Sequence, residues 1–446
     1  MRQLLLGLVG LGGVFCLVGP ATTPRAAGQA GSWTGESVLY TRPSKEIKFS
    51  ERLGDAGTYT FTGRTPIIVR EDRDGKLRIF DVSREGWVDK ADFILAKDAP
   101  AYWDRRLQAN PKDSFALAMR GNGFRLKGEL DKAIKDYDAY LELVPTDAII
   151  FNNRGVVRHL KKQYDLALKD YDEAIRLNPK FALAWDNRGT TWYLKKEYER
   201  AIKDHDEAVR LDPKAASYYY HRGLVFSAKK DYAAAIKDYD EAIRINPKDA
   251  PMHISRAAAW SNQRDFDRAI KDLDEAIRLD PKHAQARNNR GFAYQEKHDY
   301  DHALQDYNEA LRLNPKYVVA LNNRGNTLRA TKEYARALKD YEAAQQVEPK
   351  SALAFNNQAY LLAVCADDKI RDVARAVELM KTVLQLRPVS PYNEETLSVI
   401  AAGQGQFDQA IQHQQKAMED RDYAARSANK ANARLKAYQA KTPIRE

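Results

Sequence analysis

The sequence predicts an all-α solenoid of helix-turn-helix repeats, preceded by a small all-β barrel. Three observations carry this. Pro111, Pro145, Pro179, Pro213, Pro247, Pro281, Pro315 and Pro349 stand 34 residues apart without a slip. Glycine keeps the same step at Gly121, Gly155, Gly189, Gly223, Gly291 and Gly325, and alanine at Ala133, Ala167, Ala201, Ala235, Ala269, Ala303 and Ala337. Ahead of them, residues 31–98 read as short alternating runs broken by Gly54-Asp55-Ala56-Gly57 and Asp74-Gly75, which is strand-and-turn chemistry. A fixed period of this size marks a supersecondary unit that buries its apolar face only by stacking on copies of itself. The expected output of such a chain is a surface presented to a partner.

Residues 1–30 come first. An apolar run, Leu4–Val18, follows Arg2, and Gly28-Gln29-Ala30 offers small residues for cleavage. This pattern predicts a secretory signal peptide, a mature N-terminus between Thr22 and Gly31, and export to the periplasm or exterior. The run is short for a membrane span, which takes about 20 residues. Phe15, just before Cys16, is too large for a lipoprotein-type cleavage site. Without the leader one cysteine remains, Cys365, so no internal disulfide is expected. Cys365 ends the apolar run Leu361-Leu362-Ala363-Val364 and is read as a small core residue.

Residues 31–98 are expected to give about five strands, among them Glu46–Phe49, Thr58–Phe61, Pro66–Val69 and Lys76–Val82. Their close, Gly86-Trp87-Val88-Asp89-Lys90-Ala91-Asp92-Phe93, resembles the final strand and turn of bacterial SH3-like domains. The resemblance implies contact with cell-wall polymer or peptides. The alternative is a cap that shields the apolar end of the first repeat.

Residues 99–113 read as the second helix of an incomplete unit. Eight units follow over 114–390, each with two amphipathic segments. In Tyr198–Leu211 the apolar residues recur at i, i+3, i+4 and i+7. A proline then stops the second helix, since it has no N–H to donate and disfavours helix in the residue before it. The eighth unit holds five extra residues around Asp367–Arg371, which move its proline to Pro388. A degenerate ninth, with Phe407 and Ala410 in register, and a basic tail complete 391–446. The tail is expected to form a capping helix with its polar face, including Arg426, Lys430 and Arg434, outward. The period and the order aromatic, Gly, aromatic, Ala, aromatic, Pro resemble the tetratricopeptide repeat family.

The net charge is +10. Much of it lies in the turns, at Lys161-Lys162, Lys195-Lys196 and Lys229-Lys230. A solvated face interleaved with Asp and Glu accounts for it; a stripe attracting an anionic polymer is the alternative. No nucleic-acid module is visible. Gly123 and Gly128 have phosphate-loop spacing, but Glu129 stands where lysine is needed. His298 and His302 straddle a turn without a third ligand, and His205 and His253 fill slots that hold aromatic packing residues elsewhere. No metal, cofactor or catalytic constellation is expected.

Two polar rows remain. Arginine precedes each glycine slot, at Arg120, Arg154, Arg188, Arg222, Arg256, Arg290 and Arg324. Aspartate follows 16 residues later, at Asp136, Asp170, Asp204, Asp238, Asp272, Asp306 and Asp340. Both are lost together in the eighth unit, to Gln358 and Leu379. Tyr102 fills the aspartate slot before the first unit, yet Arg120 persists. Ion pairs within each unit explain both facts; a ligand-binding arginine row is the alternative. The second row comprises Asn152, Asn153, Asn187, Asn288, Asn289, Asn322 and Asn323. The family resemblance implies that first helices line a concave groove in which asparagines grip a peptide backbone; the alternative is that asparagine is simply common at this slot. Tyr193, Tyr220, Phe292, Asn326 and Arg329 would then select the ligand. The lysine-and-asparagine clamp of chaperone-binding relatives is absent, with Ala118 and Met119 in its place. These readings lead to a non-catalytic scaffold for an extended peptide or protein segment. The alternative is an envelope protein whose N-terminal domain contacts wall polymer while the repeats recruit a partner.

Overall fold

A computed structural model describes residues 97–387 and 389–446, together with the strands between Ser37 and Leu95. The expected leader, residues 1–30, lies outside the described residues. The strands are β1 (Ser37–Tyr40), β2 (Glu46–Lys48), β3 (Thr58–Thr60), β4 (Ile67–Arg73), β5 (Lys76–Asp81), β6 (Arg84–Asp89) and β7 (Phe93–Leu95). They form an antiparallel sheet in the order β6-β5-β4-β1-β7, with β2 and β3 as a separate hairpin. The Asp74-Gly75 turn joins β4 to β5, and Asp74 takes a φ of 52°, a conformation Asp tolerates in tight turns. Val69, Leu77, Ile79 and Val88 are buried.

A closed SH3-like barrel is not shown. Closure requires the two edge strands to pair at a consistent tilt and stagger. Here β6 and β7 are those edges, and among the described residues the sheet is open between them. With three residues, β7 is fully used in pairing with β1.

The residues up to Pro247 and those from Lys248 form two compact units. The first holds α1 (Ala99–Ala109) and then helix pairs: α2 (Ser114–Leu126) with α3 (Leu130–Leu143), and α4 (Ala148–Leu160) with α5 (Tyr164–Leu177). Next come α6 (Ala182–Leu194) with α7 (Tyr198–Leu211), and α8 (Ala216–Lys229) with α9 (Tyr232–Ile245). The second unit pairs α10 (Ala250–Asn262) with α11 (Phe266–Leu279), α12 (Ala284–Glu296) with α13 (Tyr300–Leu313), and α14 (Val318–Ala330) with α15 (Tyr334–Val347). It continues with α16 (Ala352–Val364), α17 (Val373–Leu386), α18 (Pro391–Gly403), α19 (Phe407–Met418) and α20 (Arg421–Gln439). No described helix is long and apolar enough to cross a membrane.

Each first helix ends in the same way. The residue past its cap adopts positive φ: Gly128 at 77°, Lys162 at 59°, Lys196 at 64° and Lys332 at 65°. The next amide then donates back to the last turn, as Gln163 does to the Arg158 carbonyl at 2.8 Å. This satisfies carbonyls that the helix leaves open. The turn lysines also have partners. Lys195 reaches Asp165 of the preceding repeat at 2.6 Å and Lys229 reaches Glu199 at 2.9 Å, so the basic turns are interleaved with acid.

The core is a file of small and aromatic residues. Tyr137, Tyr171 and Tyr239 are fully buried in the first unit, and Tyr307 and Tyr341 in the second. Burying each stabilises by roughly 1.5–3 kcal/mol. In α1, Trp103 is fully buried and meets Phe115 edge-on at 5.5 Å, so this helix covers the apolar end of the first repeat. At the other end α20 packs Tyr423 and Tyr438 inward. Its polar face is not wholly outward as expected: Arg434 is only 4% exposed, and its guanidinium lies 2.7 Å from Glu395. Cys365 is buried, and burial pushes its thiol up.

Candidate functional site

The arginine row is a row of forks. Within units, Arg120 grips Asp136 through Nε at 2.8 Å and Nη2 at 2.7 Å. Arg188 holds Asp204 at 2.8 and 2.7 Å, and Arg222 holds Asp238 at 2.8 and 2.6 Å. Arg154 pairs with Asp170, Arg256 with Asp272, Arg290 with Asp306 and Arg324 with Asp340. The remaining Nη1 reaches backwards. Arg120 meets Asp104 of α1 at 2.7 Å, Arg154 meets Asp138 at 2.6 Å and Arg222 meets Asp206 at 2.6 Å. In the second unit Arg290 meets Asp274 at 2.6 Å and Arg324 meets Asn308 at 2.8 Å. Reading the pairs as confined to one repeat is therefore incomplete. The backward partner sits two residues beyond the aspartate slot, so Tyr102 did not leave Arg120 without a neighbour. One planar fork of five donors binds two acceptors and ties three helices together.

The asparagines face one another. Asn187 donates to Asn152 at 2.9 Å, and Asn153 donates to Asn122 at 3.3 Å. In the second unit Asn323 donates to Asn288 at 3.0 Å, Asn357 to Asn322 at 3.0 Å and Asn393 to Asn356 at 3.1 Å. Asn152, Asn153, Asn187, Asn288, Asn322 and Asn323 are at most 7% exposed. Their amides are rungs between successive first helices rather than an open lining. At Asn289 the residue one rung back is Ile254, which cannot accept, and the Asn289 Nδ2 has no hydrogen-bond partner. One rung is charged: buried Asp186 takes His221 Nδ1 and His205 Nδ1 at 2.9 Å each. No described group of three or more His, Cys, Asp or Glu is placed to hold a metal; His298 lies 3.0 Å from Tyr300 and His302 2.7 Å from Asp299.

The other first-helix residues stay half-buried. Tyr193 and Tyr220 do so in the first unit. In the second, so do Phe292, Asn326, which accepts from the Tyr341 hydroxyl at 2.8 Å, and Arg329. Arg329 is already engaged: its Nη1 lies 2.6 Å from Glu446 Oε2, and its guanidinium stacks 4.6 Å from the Tyr360 ring centre. The Tyr360 hydroxyl donates to Glu446 Oε1 at 2.6 Å, and the Tyr334 hydroxyl donates to the Glu446 carbonyl at 2.7 Å. Sequence reasoning singled out Arg329 but missed Tyr334, Tyr360 and Glu446. The available signal was the five-residue insertion beside Cys365.

Models of the tetratricopeptide repeat match residues 148–181, 216–249, 284–317 and 306–346, and a further model of the same repeat matches 191–230 and 262–298. No curated protein matches the chain. Among solved structures, YrrB, described as having an unusual peptide-binding site, is 24% identical over 41% of this chain and 95% of its own, with a TM-score of 0.36. A tetratricopeptide repeat protein of Parabacteroides merdae is 19% identical over 61% of this chain and 98% of its own, at 0.45. PilF of Pseudomonas aeruginosa is 19% identical over 48% and 95%, at 0.42.

Proposed function

From a chain built of tetratricopeptide repeats, we infer a non-catalytic interaction scaffold whose first-helix faces receive extended peptide or protein segments. One observation supports this most. Residues past α20 leave the helix and lie extended against the second unit, where the Glu446 amide donates to the Val364 carbonyl at 2.8 Å and the Ala366 amide donates to the Glu446 carbonyl at 2.9 Å. A face that takes one extended segment through backbone bonds and side-chain pockets has the physics of peptide recognition by strand addition. The asparagines support the frame, and contact falls to the half-buried residues between them. In the first unit these are Tyr193 and Tyr220, whose rings offer area at small entropic cost. Export, carried by Arg2 and the Leu4–Val18 run, belongs to the same proposal. Intact Met1 on native protein in soluble cytosol overturns that part.

Photo-crosslinking tests the reading. A crosslinking residue is placed at Tyr193 or Tyr220, and as controls at the exposed second-helix positions Leu166 and Lys203. Discrete adducts from the first pair and none from the controls support the scaffold face. Adducts only from the controls overturn it.

A further inference from the structure

The structure assigns to Arg329, Tyr334, Tyr360 and the 365–366 edge a recognition site for an extended segment bearing an acidic side chain two residues after an aliphatic one. The chain fills this site with its own residues 442–446, so a partner segment must displace them. This rests on the scaffold reading and gives it a ligand chemistry and a built-in competitor.

The site arises where the repeat pattern breaks. In regular units the residue after the cap turns left-handed and the following amide folds back onto the helix. In the eighth unit the five extra residues remove that turn. Cys365 is extended, with φ −54° and ψ 129°, and α17 is reached through Asp372, whose amide donates to the Leu362 carbonyl at 3.0 Å. The Val364 carbonyl and Ala366 amide then point away from any helix, in the spacing of a parallel strand edge. Glu446 bonds to both.

The tail is aimed there by its own helix end. Lys441 takes a φ of 54°, and the Thr442 amide donates back to the Ala437 carbonyl at 2.9 Å. Pro443 follows, which cannot continue a helix. In an extended segment residues i and i+2 share a face. Ile444 accordingly packs on the apolar clusters of Val364, Val399 and Ile400 and of Ala401, Ala402 and Tyr438, and Glu446 faces Arg329 and Tyr360.

The chemistry selects a carboxylate. Oε2 takes the Arg329 guanidinium and Oε1 the Tyr360 hydroxyl. Buried Arg434 donates to that hydroxyl at 2.6 Å and stands 3.7 Å from Glu446. Burial alone would raise the Glu446 carboxyl, but Arg329, Tyr360 and Arg434 outweigh it and hold it below its usual range. An amide or alkyl group leaves these donors unsatisfied. The Glu446 side chain is still 37% exposed, so the occupant is held at an open edge and exchange needs no opening of the core.

The test uses the full chain and a fluorescent peptide of the sequence of 437–446, read by anisotropy. The probe should bind the Glu446→Ala chain at least about tenfold tighter than the unchanged chain, because the competing segment then holds its site weakly. A probe with alanine in place of its last glutamate should bind that variant at least about tenfold more weakly, and adding Arg329→Ala to the variant should abolish binding. Should Glu446→Ala disturb helix content, Glu446→Gln carries the same comparison. Equal affinity for unchanged chain and variant, or equal affinity of the two probes, overturns the proposal. Crosslinks at Tyr193 and Tyr220 lie in the other unit and report on the scaffold reading separately.

Discussion

Gly223 lies directly under the ring of Tyr239: a Cβ at this glycine would come 2.7 Å from the ring's Cε1. The same approach recurs at Gly155 on Tyr171, also at 2.7 Å. Ala257 stands in the glycine slot of the next unit, and there the ring is replaced by Leu273, which is fully buried. Gly223→Ala is therefore expected to cost about 1–3 kcal/mol through overpacking. Adding Tyr239→Leu should recover part of that loss, copying the Ala257–Leu273 pair. Thermal melts of the two variants check this; a double variant no better than the sum of its parts counts against the account.

The forks set a second expectation. Arg222→Ala leaves Asp238 buried without its partner and cuts the link to Asp206. The expected cost is about 3–5 kcal/mol. Replacing Arg222 and Asp238 together by apolar residues should recover much of it. Additive losses of Arg222→Ala and Asp238→Ala in a double-mutant cycle would deny the coupling.

Asp186 gives a pH dependence. Burial by itself would raise its carboxyl, but His221 and His205 outweigh burial and hold it down at about 2. The folded value lies below the ordinary 3.8. The ionised group therefore stabilises the folded chain above about pH 4, and this contribution is lost as the pH falls towards about 2. Asp186→Asn should lower stability by about 2 kcal/mol near pH 6 and by little near pH 2. Melting curves across that range decide it; a pH-independent difference would contradict the assignment.

The amide rungs should act on stability. Asn288→Ala breaks the 3.0 Å bond from Asn323 and leaves that buried amide unpaired, at an expected cost of about 1–3 kcal/mol. Chemical denaturation measures it. Unchanged stability with lost partner binding would return these asparagines to the role the sequence suggested.

The repeat was legible because its determinants are periodic. Pro179 and Pro213 mark helix ends, and Gly155 and Ala167 mark close contacts, each by residue type alone. The partners of Arg120 were half legible. Its aspartate within the repeat keeps a fixed spacing, whereas Asp104 lies in an incomplete unit that shows no repeat of its own. Asn187 and Asn152 were read as solvent-facing because an amide is polar. Their 35-residue separation shows only once helices stack, since it joins different slots of neighbouring repeats. The Glu446 site depends on a turn that fails at Cys365 and on a contact with Arg329 across 117 residues, which no local pattern encodes. At the sheet, the Asp74-Gly75 turn was legible, but closure depends on edge pairing, which alternation does not specify.

The most direct test of the central claim compares two variants for affinity towards the partner identified by crosslinking, at low and high salt. One carries Tyr193→Ala and Tyr220→Ala; the other carries glutamine at Lys195, Lys196, Lys229 and Lys230. Recognition by first-helix side chains predicts that the tyrosine pair weakens binding about tenfold or more with helix content unchanged, while the lysine set alters mainly the salt dependence. Binding abolished by the lysine set and untouched by the tyrosine pair would mean that the ligand is an anionic surface, and would contradict the account.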